Sequence, residues 1–130
     1  MTIISDNPTY NNIGADVLLK FEVRSGQQTY NDTNIRIEAS NVNEARFKPL
    51  VDIKFNGDQP IINSNLHTDF KDRVQAEFTD AVVRVTIKNS VAEDYSRDYQ
   101  CTASRNPFDE QFRSIKLLQA SKTWSKIWYI

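Results

Sequence analysis

Short runs in which apolar and polar residues alternate with a period of two recur along this chain, and they restrict what it can fold into more than any other feature. Val17, Leu19, Phe21 and Val23 fall on one face, with Asp16, Lys20 and Glu22 opposite. Ile35 and Ile37 alternate with Arg36 and Glu38, Val51, Ile53 and Phe55 with Asp52 and Lys54, and Val83, Val85 and Ile87 with Arg84, Thr86 and Lys88. A two-residue period places every second side chain on the same face of an extended backbone, so each run predicts a half-buried strand. Turn-forming pieces separate them: Ser25-Gly26, Tyr30 to Asn34, Asn56-Gly57-Asp58-Gln59-Pro60, Asn63 to Asp69, and Asn106-Pro107. No long segment carries a 3.6-residue apolar stripe, and nothing repeats at 20 to 50 residues. The pattern predicts an all-β, antiparallel sandwich or barrel.

The 130 residues suffice for one domain with a core. Sixteen Lys and Arg against 17 Asp and Glu give a net charge of -1, which lacks the basic excess of a nucleic-acid binder. No apolar run reaches membrane-spanning length. With one His and one Cys, the chain supplies neither a zinc site of soft and imidazole ligands nor an internal disulfide. No nucleophile, base and orienting group stand together, so the expectation is a binding domain without catalytic residues, cofactor or metal. The start carries no basic-then-apolar leader, and the chain reads as a mature or excised domain.

Arg73-Val74, the run Val83 to Asn89, Glu93-Asp94 and Asp98-Tyr99-Gln100-Cys101-Thr102-Ala103-Ser104 together resemble the second half of a variable-type immunoglobulin domain. The resemblance implies an immunoglobulin-like antiparallel β-sandwich of V-set topology, with Arg73 at the start of strand D, an alternating strand E, Asp94 in the E–F turn and Tyr99-x-Cys101 in strand F. It further implies that Arg73 and Asp94 form a structural salt bridge and that the Tyr99 hydroxyl bonds backbone at the turn. Upstream, Phe21 stands where the family usually has its first Cys, and Ile35 or Ile37 where it has the core Trp. Phe47 to Phe55 corresponds to strand C′, and Asn56-Gly57 turns into C″.

The departures are specific. Cys101 has no partner, the strand C Trp is absent, the E–F turn has one extra residue with Arg97 where Gly is common, and 111–117 lacks the Gly-x-Gly bulge of antibody joining segments. Phe21 facing Cys101 across the core would offset the lost bridge. The exchange forfeits about 2–4 kcal/mol of cross-link and recovers about 1.5–3 kcal/mol by burial. Among variable-like domains, the pattern of losses resembles the membrane-distal domains of allorecognition receptors from colonial cnidarians, which implies homophilic binding between apposed cells.

Other features read more plainly. Cys101, within an alternating strand, is expected to be a buried small hydrophobe rather than a reactive thiol. His67, in the polar stretch Asn65 to Asp69, is expected to be exposed and inert. Asp109-Glu110 is expected on the F–G loop as solvated acids. Asn31-Asp32-Thr33 is a glycosylation sequon, a triplet common enough to arise by chance in a chain this rich in Asn, Ser and Thr. The domain is expected over 1–121. The tail 122–130, which holds Trp124 and Trp128, is either packed locally, the start of a linker, or an interfacial anchor; local packing is favoured, because two exposed Trp would create an apolar patch.

With Tyr99, Cys101 and Ala103 inward, Gln100, Thr102 and Ser104 face outward. So do Arg36 and Glu38, Asp52 and Lys54, and Ser114, Lys116 and Leu118. The resemblance makes the G-F-C-C′ sheet the partner surface, with Arg105 and Phe108 of the F–G loop beside it. The expected function is a cell-surface, extracellular domain of a single-pass receptor that binds a like domain. The alternative is a sandwich that binds carbohydrate or a small ligand through loop aromatics such as Tyr30 and Phe108.

Overall fold

The computed structural model describes residues 1–27, 29–105 and 109–120, which form ten strands in two packed sheets. The first sheet is ordered β1 (Thr2–Ser5), β3 (Val17–Arg24), β8 (Val82–Ile87), β7 (Val74–Thr79). The second is ordered β2 (Thr9–Asn11), β10 (Asp109–Gln119), β9 (Asp98–Arg105), β4 (Thr33–Ser40), β5 (Phe47–Asn56), β6 (Gln59–Asn63). The two packed sheets are compatible with a β-sandwich; in immunoglobulin lettering their orders read ABED and, after the short β2, GFCC′C″. Two 3₁₀ turns, Thr68–Phe70 and Ala92–Ser96, are the helical segments among the described residues. No helix there is long and apolar enough to cross a membrane.

Alternation builds the core as the sequence predicts. Val17, Leu19, Phe21 and Val23 of β3 are fully buried, and they meet Ile35, Ile37, Ile53, Tyr99, Cys101 and Ala103 of the other sheet in one apolar cluster. Phe21 and Cys101 thus enter that cluster from facing sheets. The alternation breaks in β5. The β4–β5 register shifts between Ile37 and Glu38, and Leu50 and Val51 are both buried. Such a bulge inserts one residue into a strand, and Pro49, which has no N–H for the ladder, lies opposite Glu38 beside it.

Two strands, β1 and β2, have no counterpart in either the periodicity or the resemblance. The first segment divides between the sheets: β1 pairs antiparallel with β3, the chain crosses through Asp6 to Pro8, and β2 runs parallel to β10. Among the described residues this is the single parallel pairing, in a sandwich read from sequence as antiparallel. Asn7 secures the crossing by accepting the Lys116 amide at 2.7 Å. A second difference lies in β10, which begins at Asp109 with Asp109 and Glu110 paired to Arg105 and Ser104. Those acids are therefore strand residues, and the Asp109 carboxylate lies 3.3 Å from the N-terminal ammonium of Met1.

Polar groups close the end of the sandwich. Arg73 presents both terminal nitrogens to the Asp94 carboxylate, at 3.0 and 3.1 Å. Asp94 also accepts the Val91 amide at 2.9 Å, and its backbone carbonyl accepts the Tyr99 hydroxyl at 2.7 Å. Arg97 is buried, with its guanidinium 4.8 Å from the Phe70 ring centroid and Nη1 donating to the Ser40 carbonyl at 2.9 Å.

Phe21→Ala removes a fully buried ring from this core and is expected to cost about 3–5 kcal/mol in urea unfolding. A loss below about 1 kcal/mol would show that the ring does not carry the packing assigned to it.

Candidate functional site

The outer face of the six-stranded sheet is a grid whose rows follow from strand register. One row runs Lys54, Asn34, Ser104, Glu110 across β5, β4, β9 and β10; the next runs Asp52, Arg36, Thr102, Phe112; the third runs Pro49, Glu38, Gln100, Ser114. Directly opposed side chains on one face stand close enough to interact. Arg36 Nε lies 3.7 Å from Asp52 Oδ1. Glu38 Oε1 accepts from Gln100 Nε2 at 3.1 Å and from Thr102 Oγ1 at 3.2 Å. These bonds hold the side chains of β4 and β9 in place.

Between the rows lies a shallow depression of about 510 Å³, lined by Asn34, Arg36, Glu38, Gln100, Thr102, Ser104, Glu110 and Phe112. Phe112 is the aromatic on its rim and is 62% exposed. An aromatic side chain with most of its surface in water is the form of contact group that a partner desolvates with gain.

The residues expected at the partner surface divide into three groups. Arg36, Glu38, Asp52 and Lys54 come together on β4 and β5. Lys116 and Leu118 lie further along β10, where Lys116 Nζ is 3.4 Å from Asp98 and Leu118 pairs with Tyr10 of β2. Arg105 ends β9, is half-buried, and donates to the Thr29 carbonyl at 3.4 Å. Phe108 and the tail with Trp124 and Trp128 lie outside the described residues. Phe112, Asn34 and Glu110 are additions. Parity carried the signal for Phe112, because it shares the outward face with Ser114 and Lys116.

Two aromatic or titratable residues sit differently from their sequence reading. Tyr30, expected on a binding loop, stacks on Phe55 at 5.2 Å, meets Phe78 edge-on at 5.1 Å and donates its hydroxyl to the Val23 carbonyl at 2.8 Å. Its ring is committed to packing. His67, expected to be exposed, is 1% exposed. Nδ1 accepts the Asp69 amide at 3.3 Å at the start of the 3₁₀ turn, and the ring meets Phe70 edge-on at 5.1 Å. A polar neighbourhood in sequence gave no sign of this, because the burial comes from Phe70 and from the long-range packing around it. Burial lowers the His67 pKa, with Arg97 and Lys48 acting in the same direction and Asp69 opposing them.

Cys101 is fully buried, and the loss of solvent around its sulfur raises the thiol pKa far above its ordinary value. Among the described residues, no group of three or more His, Cys, Asp or Glu is placed to hold a metal ion. Compared with models of known protein families and with curated protein sequences, the chain matches none.

Two measurements check these assignments. Cys101 is expected to react with a thiol reagent slowly in the folded protein and fast in denaturant; fast native labelling would mean that β9 is out of register. For His67 the folded pKa is depressed, so its contribution to stability is complete above the unfolded value of about 6.5 and is lost as pH falls below it. Unfolding stability is expected to fall between pH 7 and pH 5.5, and His67→Gln, in place of the chain's single His, should flatten that dependence.

Proposed function

We propose that this chain is an extracellular recognition domain of a cell-surface receptor that binds a second copy of itself on an apposed cell, in self/non-self discrimination, through the outer face of β10, β9, β4 and β5. The observation that carries the reading is the distribution of charge on the grid. Lys54 and Glu110 stand at opposite ends of one row, and Arg36 and Glu38 are successive outward residues of one strand. A surface with both signs so interleaved is complementary to itself under a two-fold rotation, which sets basic residues of one copy against acidic residues of the other.

The exposed Phe112 and the depression beside it supply the desolvated centre that such a contact needs, because a few aromatic or Arg anchors carry most interface energy and a charged rim sets register. The internal bonds of Glu38 lower the entropy lost when the face is covered. A single module with this face is expected to bind weakly, in the micromolar range or above, with many copies on a membrane supplying avidity.

Sedimentation equilibrium at rising concentration tests the reading. The wild type is expected to self-associate, more weakly as salt is raised. Lys54→Glu with Lys116→Glu should abolish association, and Phe112→Ala should weaken it about tenfold or more, each shifting stability by less than about 0.5 kcal/mol. A wild type that stays monomeric near millimolar concentration overturns the proposal. Undiminished association of the variants would move the interface off this face.

A further inference from the structure

We propose that Asn31 is an N-glycosylation site, and that Thr33 is kept as threonine for that modification and not for the fold. The proposal rests on the extracellular reading above. Its first support is the geometry of the segment. The Thr33 amide donates to the Tyr30 carbonyl at 2.9 Å, closing a turn whose two central residues are Asn31 and Asp32, the latter at φ 64°. Asn31 is exposed at the tip of this turn.

The second support is Thr33 itself. It opens β4 on the inward face, in parity with Ile35, Ile37 and Ala39, and is 3% exposed. Its Oγ1 is buried and meets no hydrogen-bond partner among the described residues. A buried hydroxyl without a partner is unfavourable, and valine has nearly the same shape without it. Packing therefore asks for valine at this position, and the hydroxyl needs another reason. N-glycosylation supplies one, because the sequon is read as Asn-x-Ser/Thr on the chain before it folds, when Thr33 is still open to solvent. The only other Asn-x-Ser/Thr triplet, Asn7-Pro8-Thr9, has proline in the middle, which the reaction does not accept.

The co-reactant is an oligosaccharide carried on a polyisoprenyl pyrophosphate. Asn31 Nδ2 forms a bond to the anomeric carbon, the bond from that carbon to the pyrophosphate oxygen breaks, and the lipid pyrophosphate leaves with the electron pair while one amide proton is released. Nothing is oxidised or reduced.

The test translates the full chain, behind a cleavable leader, in the presence of endoplasmic-reticulum microsomes and scores the protease-protected fraction. The wild type and Thr33→Ser are expected to show one shift in mobility that an N-glycosidase removes; Asn31→Gln and Thr33→Val should show none. Because the sugar is added before folding, these readouts do not depend on any variant's stability. Purified Thr33→Val should in addition unfold at a urea midpoint at or above that of the wild type. A protected wild-type chain without the shift overturns the proposal, and so does a clearly lower midpoint for Thr33→Val, which would show the hydroxyl serving the fold. Self-association of unglycosylated protein made in bacteria is scored separately. Association without glycan addition overturns only the assignment of Asn31, and glycan addition to a strictly monomeric chain overturns only the homophilic reading.

Discussion

The Asp94 carboxylate is buried at the end of the sandwich, and the geometry of both sheets depends on how its charge is met. A carboxylate taken out of water is costly unless its lone pairs are filled. Arg73, just before β7, gives it two parallel bonds, and the Val91 amide gives a third. The bidentate fork raises the Arg73 pKa further, so the guanidinium stays charged at any ordinary pH. The same residue's carbonyl receives the Tyr99 hydroxyl, which ties β9 to the turn. The face of β9 that points inward is thereby set, and with it the outward placement of Gln100, Thr102 and Ser104. A chain with no disulfide between its sheets obtains from this cluster part of the alignment that a cross-link would impose.

Phe70 is the apolar counterpart of that cluster. Arg73 and Arg97 lie over its ring at 5.6 and 4.8 Å, and His67 and Tyr99 meet it at 5.1 and 6.4 Å. Cations over an aromatic face gain more when water is excluded. Arg97 thus has a structural reason to stand where the resemblance expects glycine: its stem is buried, and its head bridges the Ser40 carbonyl and the Asp69 carboxylate. Burial within the same group lowers the His67 pKa.

Most of the core was legible because burial on one face of a strand leaves a two-residue signature that needs no knowledge of partners. Val17 to Val23 and Val83 to Ile87 show it without interruption. The signature is lost where strands are too short to display a period, as in β1 and β2, with four and three residues. It also fails where a bulge shifts the face, as at Leu50 and Val51, and where burial is decided by residues distant in sequence, as for His67 and Tyr30. The outward grid was half legible. Parity gave Arg36, Glu38, Asp52 and Lys54, but which of them stand in one row depends on register, and the position of Phe112 opposite Thr102 is a product of the β9–β10 pairing.

The borders of the two sheets carry a consequence of their own. β1 and β2 are short, and β6 carries Pro60, so three of the four bordering strands offer little main chain for an incoming strand to pair with. On those three borders, the side chains of a sheet face are better placed for contact than the ladder is. Those side chains alternate with the ones that build the interior, so each can be exchanged without disturbing its inward neighbours. The scaffold separates the side chains that must stay constant from those that are free to vary.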